Sequence, residues 1–308
     1  MILAAGLGTR LDPITRHIPK PLVPVAGIPN IVRIVERLKK SGIAEVVINT
    51  HWLPDVLKAY LGDGSAWGVC LAYSDETEIL GTGGGIRRAL SLLGDDTFVV
   101  INGDALFAPD IEAAVTFHEA RRALATLVVR ADPAAERYGA VGVDDTGRIG
   151  RLVYGGEDGP HLRHYMFTGV HIISKEAARQ LPERGCIVQE TYIPLVEAGA
   201  PIYALPMGGY FCDLGTPERY LSANVELLTG RARLDGLKPP ENGVVIADTA
   251  RVDRAATLGP GTAVSGRAQV LGAVHLERTV VLDGATVTAD VTDAIVTPRS
   301  EIVSVSAS

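Results

Sequence analysis

The sequence is short of the residues that staple or anchor a chain. Cysteine occurs three times in 308 residues, at Cys70, Cys186 and Cys212. Odd in number and far apart, these thiols argue against a disulfide framework and a zinc cluster and are read as packing residues. No uninterrupted apolar run nears the roughly 20 residues of a membrane-spanning helix, and no basic, apolar, small-residue leader opens the chain. The expected setting is the cytoplasm, with no membrane partner. Positive charge is in deficit, the formal net charge being −7. That argues against an extended nucleic-acid surface, which draws on several clustered Lys or Arg per site. With 47% hydrophobic and 21% charged residues, the chain suits one large domain plus a small one.

What is present begins at the N-terminus. Met1-Ile2-Leu3-Ala4-Ala5 is an apolar run of strand length that empties into Gly6-Leu7-Gly8-Thr9-Arg10. A strand leading into a glycine-rich loop is a phosphate-binding layout, because glycine lets backbone N–H groups approach anionic oxygens. The dinucleotide fingerprint is absent, since its third glycine is Leu11 here, and no Gly-Lys-Ser or Gly-Lys-Thr marks a P-loop. Two cations follow the strand: Arg10, in the loop, and Lys20, which the flanking Pro19 and Pro21 present from a stiff support.

From Leu3 to Leu22 the run Leu-Ala-Ala-Gly, Gly-Thr-Arg-Leu, Pro13, Thr15 and Pro-Lys-Pro-Leu resembles the signature of the sugar-1-phosphate nucleotidyltransferases. The resemblance implies that Ala4, Ala5, Gly6, Gly8, Thr9 and Arg10 contact a nucleoside triphosphate and that Lys20 acts at the reacting phosphorus. It implies as well that Asp104, after Val99-Val100-Ile101-Asn102-Gly103, is a Mg²⁺ ligand, with Gly103 beside the nucleotide. A triphosphate reacts with a hard cation bridging its oxygens, and such a cation takes few carboxylates plus waters. Between these stretches, Leu80-Gly81-Thr82-Gly83-Gly84-Gly85 is similar to the family's run beside the nucleobase, which implies nucleotide contact for Gly81 and Thr82 and a substrate-side role for Glu78. Gly139 and Thr168 fall where relatives meet the sugar. The family's Glu-Lys-Pro is not intact: Glu157-Asp158-Gly159-Pro160 stands there, so the lysine's hold on the sugar phosphate falls to Arg151 or Arg163. Gly209 to Tyr220 resembles the family's Trp-x-Asp-Ile-Gly-Thr-Pro run, making Asp213 the second metal carboxylate. Arg10, Lys20 and Asp104 are then the catalytic set.

Periodicity supplies the architecture. Helical spacing at Ile31–Lys40, Pro54–Leu61 and Ile86–Leu93 alternates with apolar strands at 45–49, 69–73 and 97–101. That order implies right-handed βαβ units and a Rossmann-like, mostly parallel mixed sheet. Further strands are expected at Ala125–Arg130 and Tyr165–Ile173, and Thr216-Pro217 starts a helix to Leu228. The α/β domain is expected to span 1–237.

After the linker Lys238–Gly243 the pattern changes. Ile246, Val252, Leu258, Val264, Val270, Leu276 and Leu282 recur every six residues, and Ala250, Ala256, Thr262, Ala268, Val274, Val280 and Thr286 follow each by four. This is the hexapeptide period of a short left-handed parallel β-helix, expected over 238–308. Two to three coils expose their ends, so the tail is expected to pack on the first domain or to pair subunits in a homo-oligomer.

The implied activity is transfer of a nucleotidyl group from an NTP to a sugar 1-phosphate, with Mg²⁺ as cofactor. A tailed transferase is similar to mannose-1-phosphate guanylyltransferases, which favours GTP. Trp52-Leu53 and Leu61–Ser65 resemble N-acetylmuramate-1-phosphate uridylyltransferases, which makes UTP the alternative. A non-catalytic nucleotide-sugar sensor or assembly subunit is opposed by the intact Arg10, Lys20, Asp104 and Asp213. An added acyl-transfer activity is opposed by a tail with one histidine, His275, and no long loop.

Overall fold

A computed structural model of the protein describes residues 1–133, 135, 140–152 and 161–305. The chain divides into two compact units: Met1–Gly6, Ile34–Gly103 and Pro109–Gly208 form the first, and Leu7–Arg33, Asp104–Ala108 and Gly209–Ser308 the second.

The first unit is a mixed α/β sheet. Its strands run in the order Ile149–Leu152, Ala140–Val143, Arg163–Ile173, Phe98–Asn102, Ile2–Leu3, Glu45–Thr50, Cys70–Asp75. Ala125–Arg130 and Ile202–Pro206 continue it from Arg163–Ile173. Ile2 lies between Ile48 and Ile101, parallel to both, whereas Arg163–Ile173 runs antiparallel to its three neighbours. The strand order reverses beside Ile2–Leu3, and open α/β sheets bind ligands outside the carboxyl ends of strands at such a point. Ala4 and Gly103 both leave the sheet there, with Gly103 N–H donating to the Leu3 carbonyl at 2.9 Å.

Helix Pro54–Leu61 and strand Ala125–Arg130 follow the sequence reading to the residue. The glycine-rich helix does not. It spans Gly81–Leu93 rather than starting at Ile86, because residues 182–185 press on its first turns. A Cβ on Gly83 would stand 2.7 Å from Pro182 Cγ, and one on Gly84 2.5 Å from the Glu183 carbonyl oxygen. Gly83 N–H donates to Gly185 O at 2.9 Å and Gly185 N–H to Leu80 O at 2.8 Å. Tertiary packing thus outweighs the poor helix propensity of four glycines.

In the second unit one core joins three distant stretches: Leu11 and Ile14 of the glycine loop, Tyr220, Leu221, Leu227 and Leu228 of helix Pro217–Leu228, and Ala263, Val280, Leu282 and Ile295 of the tail. The tail's strands pair in parallel. Val244 faces Thr262, Arg251 faces Gln269 and Thr257 faces His275, each three hexads on. The offset then shortens, Ala263 facing Val280 and Leu276 facing Val291. Val264, Val270, Leu276 and Val281 fill a second core inside these strands. Ile246, first of the periodic residues, stays 47% exposed, and Ile302–Ser304 closes the last strand by antiparallel pairing.

A core shared by loop, helix and tail makes the second unit one cooperative body. Leu282→Ala is expected to cost about 2–5 kcal/mol, as buried leucine truncations do, whereas Ile246→Ala stays within about 0.5 kcal/mol. Thermal unfolding of Leu282→Ala should remain a single transition at lower temperature; a separate tail transition would show that the tail folds by itself.

Candidate active site

The site is built in the second unit around one buried ammonium group. Lys20 opens a 3₁₀ turn, Lys20–Leu22, with Pro19 before it and Pro21 after it. Leu22 N–H donates to Pro19 O at 2.8 Å and Val23 N–H to Lys20 O at 3.1 Å. The following turn is clamped by helix Pro217–Leu228: Asn224 Oδ1 accepts from Ala26 N–H at 2.8 Å, and Tyr220 O–H donates to Pro24 O at 2.6 Å. The lysine side chain is only 9% exposed, so its charge needs a partner. Asp104 supplies it, with Oδ2 2.7 Å from Nζ.

Asp213 Oδ1 lies 3.9 Å from the same Nζ, so two carboxylates far apart in sequence converge on Lys20. Local geometry explains this. Ala105–Phe107 and Phe211–Asp213 form an antiparallel ribbon in which Asp213 faces Ala105. Leu214 N–H donates to Asp104 O at 3.2 Å. Asp213 Oδ2 also accepts from Arg219 Nη1 at 3.0 Å and lies 3.9 Å from Arg10 Nη1. Gly215 leaves room for that carboxylate, since a Cβ there would stand 2.9 Å from Oδ1. Arg219, in the first turn of helix Pro217–Leu228, went unassigned in the sequence; its place six residues after Asp213, behind the Thr216 cap, is the signal that could have found it.

The glycine loop is compact. Gly8 has φ 71°, and its carbonyl accepts from Leu11 N–H at 2.8 Å and from the Thr15 hydroxyl at 2.9 Å. Asp12 Oδ1 lies 2.9 Å from the same Thr15 hydroxyl, which shares its one proton between the two acceptors. Two 3₁₀ turns, Thr9–Leu11 and Ile14–Arg16, follow, and Arg10 projects from the first, 66% exposed. Burial and the charges of Glu226 and Asp213 push the neighbouring Cys212 thiol up to about 12, so it stays protonated and is no nucleophile. A cavity of about 650 Å³ lined by Ala108, Gly209, Tyr210, Arg233, Leu237 and Lys238 opens at the ribbon's other end, so the volume and the charge cluster do not coincide. The ion pairs bring together Arg10, Lys20, Asp104 and Asp213, the residues that the sequence singles out, and none of these lines the cavity.

The first unit holds the remaining candidates. The Thr82 hydroxyl accepts from Ile187 N–H at 2.9 Å. Glu78 is exposed and pairs with Arg184 at 2.6 Å. Thr168 is buried and donates to Val128 O at 2.7 Å, and Arg163 pairs with Asp145 at 3.3 Å. Gly139 and Glu157 lie outside the described residues.

Comparison with known proteins places the chain in a family. Residues 1–230 match the family described as Nucleotidyl transferase, and the chain belongs to that family, among the sugar-1-phosphate nucleotidyltransferases. It is 33% identical over 294 residues to the mannose-1-phosphate guanylyltransferase of Mycobacterium tuberculosis, covering 94% of this chain and 81% of that one. To the D-glycero-alpha-D-manno-heptose 1-phosphate guanylyltransferase of Aneurinibacillus thermoaerophilus it is 31% identical, over 74% of this chain and 97% of that one. Among solved structures it resembles HddC from Yersinia pseudotuberculosis complexed with GMP-PN, with TM-score 0.60 and 26% identity over 72% of this chain and 96% of that one.

The two carboxylates should differ in what they hold. Asp104→Asn strips the near-buried Lys20 of its 2.7 Å partner, while Asp213→Asn takes from Lys20 a 3.9 Å neighbour and otherwise weakens the more exposed pair with Arg219. With Asp104 itself part-exposed, Asp104→Asn is expected to cost about 1–2 kcal/mol more stability than Asp213→Asn. Denaturant melts of the two variants check this; equal midpoints would mean that Lys20 does not depend on Asp104.

Proposed function

We propose that the enzyme makes GDP-mannose and pyrophosphate from GTP and mannose 1-phosphate. The observation that carries this reading is the extent of the matches. The mannose-1-phosphate guanylyltransferases of Mycobacterium tuberculosis and Arabidopsis thaliana align over 94% and 92% of the chain, which takes in tail residues. The heptose-1-phosphate guanylyltransferase and a UTP–glucose-1-phosphate uridylyltransferase align over 74% and 72%. The tail pairing at three-hexad offsets supports a left-handed parallel β-helix over 238–308. UTP is the second reading, favoured by the Trp52-Leu53 and Leu61–Ser65 stretches.

In the proposed reaction an oxygen of the sugar 1-phosphate attacks the α-phosphorus of the NTP. The α–β bridging P–O bond breaks, and pyrophosphate leaves with its electron pair. The attacking phosphate is already ionised, so no general base is required, and catalysis rests on positioning and charge neutralisation. Lys20 supplies one fixed ammonium for charge developing at the α-phosphorus. Arg10 presents a fork of donors to phosphate oxygens. In the same reading Ala4, Ala5, Gly6, Gly8 and Thr9 contact the triphosphate, Gly81, Thr82 and Gly103 the rest of the nucleotide, and Glu78 and Thr168 lie on the sugar-phosphate side.

The convergence of Asp104 and Asp213 on one Nζ suits Mg²⁺. Among the described residues no group of three or more His, Cys, Asp or Glu could hold a metal, and Mg²⁺ needs only one or two carboxylates beside waters and substrate phosphates. When bound, it would offset the negative charge of the phosphates.

A panel of four NTPs against several sugar 1-phosphates, read by pyrophosphate release, should give the highest kcat/KM for GTP with mannose 1-phosphate; a clear preference for another pair overturns the assignment. A second experiment separates the cations. Lys20→Ala should lower kcat by about 10²-fold or more with NTP affinity kept, as expected of an interaction made mainly in the transition state. Arg10→Ala should weaken NTP binding as well as turnover. Near-normal kcat in Lys20→Ala would leave Lys20 a binding cation only.

A further inference from the structure

The end of strand Ile2–Leu3 raises a hydrogen-bonding question. Ala4 is the first residue beyond it, and its N–H has no ladder partner; instead it donates to the side chain of Asn49, at 2.8 Å from Oδ1. Asn49 is 3% exposed and sits on strand Glu45–Thr50, whose register places it beside Leu3. The other half of its amide, Nδ2, donates to Glu76 Oε1 at 2.7 Å. Glu76 is 5% exposed, and its second oxygen accepts from Leu80 N–H at 3.0 Å, the residue that caps the glycine helix Gly81–Leu93. One carboxylate therefore ties the exit of the strand to the start of the helix.

The chain of bonds has a direction. A backbone N–H only donates, so the Asn49 oxygen has to face Ala4 N–H, and its NH₂ is then turned toward Glu76. The glycine run serves this pair: a Cβ on Gly85 would stand 2.6 Å from Glu76 Oε1 and 2.8 Å from Asn49 Nδ2. Two buried side chains and two backbone N–H groups are satisfied in one orientation only, which is how such networks specify geometry.

We propose that Glu76 and Asn49 are positioning residues for the nucleotide, fixing the path of the backbone at Ala4 and at Leu80. The proposal rests on the reading that residues 4–10 and 81–82 contact the NTP. Neither side chain touches a reacting atom in this scheme; each acts through the backbone it orients.

The polarity can be reversed without changing shape. Glu76→Gln puts an NH₂ against the Asn49 NH₂ or against Leu80 N–H, and Asn49→Asp sets two carboxylates against each other. The double variant E76Q/N49D restores every bond. The new amide's NH₂ would meet one oxygen of the new carboxylate and its carbonyl would accept from Leu80, while the other carboxylate oxygen would still accept from Ala4. Pyrophosphate-release kinetics on the full chain, with the NTP preferred in the panel and its sugar 1-phosphate, is the test. Each single variant should raise KM for the NTP about tenfold, the scale set by small misplacements of a binding element, with kcat and KM for the sugar 1-phosphate within about twofold. The double variant should return KM for the NTP to within about twofold of the parent. Arg10→Ala run in parallel separates the two levels of the argument. If it raises KM for the NTP while the single variants do not, the relay is wrong and the nucleotide reading stands; if it too leaves that KM unchanged, the nucleotide reading fails. A double variant no better than the singles, or KM values rising together for both substrates as the melting temperature falls, would reduce the pair to a fold-stabilising contact. Should a single variant not fold, Gly85→Ala and the double variant decide: an NTP-selective rise in the first and parental KM in the second support the relay, and any other result overturns it.

Discussion

The second unit depends on one interaction, the ion pair between the near-buried ammonium of Lys20 and the carboxylate of Asp104 at 2.7 Å. A lone ammonium in that position would carry a desolvation penalty of several kcal/mol. The segment that follows the lysine turn is tied to helix Pro217–Leu228 by the Tyr220 O–H bond to Pro24 O, and the ribbon beside the aspartate by the Arg219 bond to Asp213. The pair thus sets a common geometry for elements that are remote in sequence, and Asp213, Arg219 and Arg10 are arranged around it.

Charge balance follows from the same arrangement. Asp213 is shared among Lys20, Arg219 and Arg10, so three cations surround two carboxylates. The excess positive charge suits an anionic substrate, and the carboxylates keep the cations oriented before one arrives. In a chain with a net charge of −7, this local surplus is built by placement rather than by composition.

Much of this was legible in the sequence wherever local chemistry decides the outcome. Helices Pro54–Leu61 and Pro217–Leu228 and strand Ala125–Arg130 keep the bounds that their apolar spacing and start signals predict. The glycine helix was misread at its start, because glycine density reads as loop unless the pressing backbone of 182–185 is known. The six-residue period was clear, yet its offset shortens beyond Ala263, a change that the repeat itself does not announce. Arg219 and Glu76 were missed for a related reason: a long side chain that reaches back across a turn, or a buried carboxylate that faces only amides, leaves no mark in spacing.

The ribbon of Ala105–Phe107 and Phe211–Asp213 also orders events in time. On a growing polypeptide the glycine loop, Lys20 and Asp104 emerge first, and about a hundred further residues must be made before the partner strand exists. Most of those residues belong to the other unit, whose folding shortens the loop that the ribbon has to close. A nascent chain halted before Gly209 therefore carries every residue of the glycine loop and a single carboxylate of the pair, with the strand that brings the second one still to be made.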